Sequence, residues 1–219
     1  MRDYAFERTR TAESLGDTSF DYTHILFISP HHYNTSEIKI WDITDSVSSP
    51  LGSEDFKEET EYFGQAHSDE TPTWIIHNPG LSKDKALHPG RVTYPTEDTI
   101  ITTWRPSTWS AGKNAFDFPP NSPHCSHGLV MERPRWYKNR AETFVQDSME
   151  YSWRWEGHSG RKFTLWKGYG DRKIPVAQYK SPLRLAVMGG TVVVNADEVD
   201  VVVALITCVA NLLKNKQAK

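Results

Sequence analysis

The strongest hydrophobic stretch of the chain, Val199 to Leu213, is apolar on nearly every side. A helix without a polar face must be enclosed by protein or by lipid. The run is about fifteen residues long, short of the roughly twenty a bilayer crossing needs, and Asp200 lies inside it. The pattern therefore predicts a buried central helix over about residues 196–216. Asn195 can cap its start, with Glu198 in the capping-box position. Asp197, Glu198 and Asp200 place negative charge at the first turn, and Lys214 and Lys216 place positive charge at the last, as the helix dipole favours. The β-branched content of the run argues for a strand, but length and charge asymmetry favour the helix. Asp200, Ala204, Thr207 and Asn211 form one thin stripe at helical spacing, with Thr207 and Asn211 expected to bond to backbone.

Upstream, the pattern is one of strands. Ile25–Ile28 and Ile38–Trp41 read as a hairpin around Ser-Pro-His-His-Tyr-Asn. Thr73–His77 and Thr99–Trp104 continue the series, with Pro89-Gly90 and Pro95 punctuating the chain between them. Tyr151, Trp153 and Trp155 alternate with Ser152, Arg154 and Glu156, the period of a half-buried strand. A turn at Glu156–Gly160, a strand from Phe163, a break at Gly168-Tyr-Gly170, and strands over Ile174–Tyr179, Leu183–Val187 and Thr191–Val194 follow. Gly189-Gly190 carries the chemistry of a tight hairpin turn. Residues 44–71 read as a long acidic loop and 106–127 as a proline-rich loop. The fold class is mainly β: an antiparallel barrel or strongly curved sheet wrapped around a buried C-terminal helix. Residues 1–22 form a flexible segment and 23–219 a single domain.

Composition adds limits. An apolar share of 37% with 12% aromatic residues supports one sizeable core and excludes disorder throughout. A net charge of −3 supplies no global field toward nucleic acid or an anionic membrane, so such contact needs a local patch, and nucleic acid is not an expected partner. Of the two cysteines, Cys208 falls in the apolar helix and Cys125 in a proline-rich loop. No apolar leader follows Met1, so a cytoplasmic protein without a transmembrane segment is expected, and the Asn34-Thr-Ser sequon carries no weight.

The last seventy residues or so resemble the fungal members of the tubby C-terminal-like group, related in fold to phospholipid scramblases and LURP-one-type proteins. The resemblance is carried by Tyr151-Ser-Trp-Arg-Trp155, Phe163-Thr-Leu-Trp166, Ile174–Tyr179, Leu183–Val187 and the apolar helix. It implies a closed antiparallel barrel around a hydrophobic helix, binding of phosphoinositide or other membrane lipid in some members, and no known activity in most fungal ones. The basic lipid-contact residues of tubby proteins do not map onto specific positions of this chain.

Candidate chemistry is sparse. The densest cationic cluster is Arg133, Arg135, Lys138 and Arg140, interleaved with Trp136 and Tyr137, a composition suited to a phosphate head group or to a nucleic-acid backbone with a stacking platform. A solvated strand face is the plainer reading. His124 and His127 flank Cys125 in the proline-rich loop, but no second ligand pair completes a zinc site, so no metal is expected. The two histidines are catalytic candidates only if the chain is an enzyme. Trp109 and Trp136 could line an aromatic pocket, although core packing explains most of the eight tryptophans. No Gly-x-Ser-x-Gly, P-loop or dinucleotide fingerprint occurs, and no cofactor is expected. The leading expectation is a non-catalytic intracellular binding or scaffold domain recognising a membrane lipid head group or a protein. The alternative is a small-molecule biosynthetic enzyme of cyclase, isomerase or hydrolase type, acting on a small apolar metabolite with loops at the barrel mouth. A curved sheet gripping a helix around a cavity, as in START-like lipid carriers, would need a longer, amphipathic helix.

Overall fold

The structure, a computed structural model, describes residues 21–31, 35–66, 69–79, 83–92, 95–106, 113–133, 141–156, 162–181 and 188–217. The expectations for the N-terminal twenty residues, for a turn at 157–160 and for a strand at 183–187 fall outside them.

Among the described residues, twelve strands form one antiparallel sheet. In chain order they are β1 (His24–His31), β2 (Glu37–Asp42), β3 (Trp74–His77), β4 (Lys85–Pro89), β5 (Thr102–Pro106), β6 (Asn114–Asp117), β7 (Leu129–Met131), β8 (Glu142–Gln146), β9 (Met149–Glu156), β10 (Lys162–Lys167), β11 (Ile174–Lys180) and β12 (Met188–Val194). The spatial order runs β7-β6-β5-β4-β3-β2-β1-β12-β11-β10-β9-β8. Its two edges meet at one bridge, where Glu132 and Thr143 exchange both backbone hydrogen bonds at 2.8 Å, and the sheet becomes a nearly closed barrel.

The bore is filled. A C-terminal helix, α2 (Val201–Gln217), is buried at every position from Val202 to Leu213, packed against inward residues such as Leu26, Ile40, Leu87, Phe116, Trp153 and Leu165. Burying each of its Val, Leu and Ile side chains contributes about 1.5–3 kcal/mol. The helix starts later than the expected 196. Asn195 instead nucleates a separate turn, its carbonyl accepting from Glu198 N and Val199 N and its Oδ1 from Asp197 N. The true cap is Asp200, whose Oδ1 accepts from Val203 N at 3.0 Å. Thr207 is expected to bond to backbone and does, donating to Val203 O at 2.7 Å, but it also accepts from Trp153 Nε1 at 3.0 Å.

The acidic stretch expected as a loop holds a second helix, α1 (Glu54–Ala66), after a short 3-10 turn at Thr44–Ser46. Ser53 Oγ caps it by accepting from Phe56 N at 3.0 Å. Phe56, Thr60 and Phe63 lie on one face at i, i+4, i+7 and are buried. They cover Ile25, Phe27, Trp41 and Val193, making a second, smaller core on the outside of the barrel. That is why β1 is apolar on both faces.

Gly189-Gly190 makes no turn. Both lie within β12 at φ +147 and +148, and a Cβ at Gly190 would run into the carbonyl oxygen of Lys180. The pair lets β12 pass closely between β1 and β11. The proline-rich loop expected over 106–127 is likewise interrupted by β6. Both cysteines are free.

Candidate functional site

Strand register assigns every connector to one of two ends. α2 starts at the lower mouth, beside the β6–β7 and β12–α2 connectors, and finishes at the upper mouth, where β1 ends at His31 and β8 begins at Glu142. Among the described residues, the upper connectors carry Lys83, Lys113 and Arg133 against Asp84 and Glu132. The lower connectors (43–73, 90–101, 118–128, 147–148, 168–173 and 195–200) carry four Lys and Arg against fifteen Asp and Glu. Among the described residues the acidic excess therefore lies in the segments that leave the lower end, α1 on the outer wall included.

The candidate residues fall at opposite ends. His124 lies at the lower mouth, its Nδ1 3.1 Å from Asp200 Oδ2, with both side chains about a quarter exposed. Its backbone carbonyl accepts from Gln146 Nε2 at 3.3 Å. His127 is exposed and does not join it; its carbonyl accepts from the Cys125 thiol at 2.9 Å. Nearby, Lys167 Nζ pairs with Glu198 Oε2 at 2.9 Å, and the Tyr151 hydroxyl donates to Glu198 O at 3.2 Å. Hydrogen bonding to Glu198 holds the Lys167 pKa above its ordinary value, and burial raises that of Tyr151.

Arg133 is at the upper mouth, where its Nε and Nη2 lie 3.0 and 2.8 Å from Glu142 Oε1. Glu142 is wholly buried and also holds Lys214 Nζ at 2.5 Å. Arg133 is therefore part of the seam that closes the barrel. Arg135, Lys138, Arg140, Trp109 and Trp136 lie outside the described residues. The strands that flank them, β5, β6, β7 and β8, all open onto the upper mouth.

The upper mouth also gathers buried polar side chains that the sequence pattern did not single out: His31, Asn78, Lys85, Asn114 and Glu142 from the wall and Asn211 from α2. Lys85 alternates inward with Leu87 and stands opposite Trp104 on β5. Trp104 is opposite Phe116, and one step nearer the mouth Pro106 is opposite Asn114. On the other side, the register His77↔Ala86 continues to set Asn78 across from Lys85. Lys85 is only 3% exposed, and its Nζ turns toward the mouth to donate to Lys83 O at 3.1 Å. Burial pushes its pKa down to about 8, against a smaller upward pull from Asp84. Asp84 itself lies outside the barrel wall in a two-pronged pair with Arg105, 2.7 Å from Nη2. Asn78 Nδ2 donates to Thr35 O at 2.8 Å. Asn114 is 5% exposed. The only sequence signal for this group was the inward alternation Lys85-x-Leu87, in a strand that the hydrophobic pattern alone did not mark.

The architecture is that of an antiparallel β-barrel plugged by its own helix. The chain matches no protein-family model, and comparison with the curated proteins and with the solved structures found no match to either. Among the described residues no helix is long and apolar enough to cross a membrane, and no three His, Cys, Asp or Glu side chains converge as metal ligands.

Proposed function

We propose that the chain is a non-catalytic binding module that meets an anionic membrane lipid head group with the basic upper end of its barrel. What supports this reading is the charge along the sequence: the segments joining strands that end at the upper mouth carry eight Lys and Arg against two Asp and Glu in a chain that is acidic overall. A bore packed with α2 puts the working surface on the ends and the outside of the wall. Membership of the tubby C-terminal-like group belongs to the same proposal, since a barrel around a hydrophobic helix is what that resemblance implies. A cytoplasmic location, facing an anionic leaflet, completes it.

Co-sedimentation with phosphatidylcholine vesicles, with and without phosphatidylserine, tests the reading. Binding should require the anionic lipid, weaken as salt shortens the Debye length below about 8 Å, and fall on combined replacement of Arg135, Lys138 and Arg140 by Glu. Absence of binding at low salt would reject the lipid and leave a protein as the partner to be sought.

One observation favours a second reading. The His124–Asp200 pair places a carboxylate on Nδ1 and leaves Nε2 as a base, the arrangement that orients a general-base histidine. Under the enzyme reading, a small apolar metabolite would react at the lower mouth. Loss of turnover in His124→Gln, over a panel of ester and enone substrates, would support it; absence of turnover by the unaltered protein would reject it for those substrate classes.

A further inference from the structure

We infer that the outer face of the wall, at the upper ends of β9, β10 and β11, binds a phosphate group through Arg154, Lys162 and Lys180. The inference goes beyond the proposed contact of the upper connectors with lipid, because its residues belong to the strands themselves and lie outside the barrel.

Register builds this face. Trp153, Phe163, Leu165 and Tyr179 point into the bore, so their alternates point out. Two outward rows result. At the rim Glu156 is opposite Lys162, and Lys162 is opposite Lys180. One step below, Arg154 is opposite Thr164, and Thr164 is opposite Gln178. Gln178 is in turn opposite Val193, which belongs to the small core outside the barrel.

Three observations point to an anion. The first is the direct opposition of Lys162 and Lys180, whose backbones are about 5 Å apart. Like charges facing across a ladder cost stability unless a negative charge joins them. The second is a shortage of counter-charge. Glu156 is the one carboxylate in the two rows, and both its oxygens are engaged: Oε2 is 2.9 Å from Lys162 Nζ, and Oε1 accepts from the Thr164 hydroxyl. Gln178 Nε2 donates to Thr164 Oγ1 at 3.2 Å, so this small network holds Glu156 toward β10. Among the described residues no carboxylate pairs with Arg154 or Lys180. Three cations against one carboxylate leave two positive charges, which matches the charge of about −1.5 to −2 on a phosphate monoester near pH 7. A single carboxylate would leave half of that excess unmet. The third is Arg154 itself, whose Nε is buried and has no hydrogen-bond partner. A guanidinium desolvated along one edge and only partly covered overall offers its remaining donors to an oxyanion, with which it forms strong charge-assisted bonds. The face is reachable, since the Lys162 and Glu156 side chains are 30% and 26% exposed.

The test is an NMR titration of the full chain with inorganic phosphate at constant ionic strength, following the Arg154 Nε–H and the Lys180 ε-carbon. Both should shift and saturate together, while Lys39, an exposed cation on β2, stays unmoved. Arg154→Met and Lys180→Met should each weaken phosphate about tenfold. Glu156→Gln should tighten it, because a competing charge is removed while a side chain able to bond Thr164 stays; mere damage to the wall would not tighten anything. If a variant fails to fold, the signals of the unaltered protein carry the test. Sedimentation on phosphatidylcholine vesicles containing phosphatidic acid separates the sources. Loss of both phosphate and vesicles in Arg154→Met would identify a lipid phosphate, and loss of phosphate alone a free phosphorylated molecule. An equal response of Lys39 and Arg154, unchanged affinity in Arg154→Met and Lys180→Met, or no gain in Glu156→Gln would overturn the inference. So would loss of phosphate binding on reversing Arg135, Lys138 and Arg140 but not in Arg154→Met, which would put the anion on the connectors.

Discussion

Two buried side chains show how much a single polar atom decides in this interior. The Trp153 indole N–H, inside the barrel, has Thr207 Oγ1 as its acceptor, and Thr207 keeps its own proton on Val203 O. Thr207→Val preserves the shape and leaves the indole unpaired, so it should cost about 1–3 kcal/mol in urea unfolding. A variant as stable as the parent would mean the indole finds another acceptor. Lys85 acts in the opposite sense. Its folded pKa, about 8, lies below the roughly 10.4 of an unfolded lysine, so the native state holds fewer protons between those values. Stability therefore rises as pH climbs through that window, and below it the buried ammonium is a standing penalty on the order of 3 kcal/mol. Lys85→Met should raise the neutral-pH stability and remove the rise between about pH 8 and 10. A parallel pH profile in both proteins would show that Lys85 is solvated in the folded state.

At the scale of elements, apolar patterning reports burial more faithfully than it reports partners. The central helix was legible because the fifteen positions from Val199 to Leu213 are apolar but for Asp200, Thr207 and Asn211 on one thin stripe, and only a site enclosed on nearly all sides tolerates that. Its start was not, because Asn195 and Asp200 are both competent caps and the choice depends on where the chain turns off β12. α1 was hidden by its acidic surface: Glu54, Asp55 and Glu58 dominate the composition, while Ser53 and the spacing of Phe56, Thr60 and Phe63 held the signal. Gly189-Gly190 misled for a different reason, since glycine marks close backbone approach as well as turns. The polar cluster at the upper mouth could not be read without register, which alone puts Lys85, Trp104 and Asn114 on neighbouring strands. If α1 is held as its contacts indicate, Phe56→Ala should cost about 3–5 kcal/mol and Ser53→Ala about 1 kcal/mol. Gly64→Ala should be more damaging than helix propensity allows, because its Cβ would enter the Phe27 ring. Amide exchange of α1 then reports the order: accelerated in all three, and fastest in Phe56→Ala. Exchange of the barrel strands at parental rates would confine α1 to a satellite role; their acceleration along with it would show that the outer layer and the barrel unfold together.

For the whole molecule the weak point of the wall and its buried carboxylate meet at the same place. Eleven strand pairs are ladders, but β7 and β8 are joined at one bridge only, and the exposed Val130 and Val145 flank the open part of that seam. A barrel left unpaired there would present an edge to other chains. What holds the seam is Glu142, on the first residue of β8, gripping Arg133 from the end of β7 and Lys214 from the last turns of α2. Wall edge, wall edge and plug converge on one carboxylate. Burial lowers the Lys214 pKa, while the hydrogen bond and charge of Glu142 draw it back up. Glu142→Gln keeps the volume and leaves two cations facing each other, a change of about 3–5 kcal/mol when a buried pair loses one partner. Its location makes it diagnostic. If the triad is the clasp, the amides of Glu132 and Thr143 should exchange with solvent first and far faster than those of β1 and β12, and the variant should aggregate through the opened edge as concentration rises. Uniform acceleration across all twelve strands would instead mean that the barrel opens only as one cooperative unit, with Glu142 contributing to global stability alone.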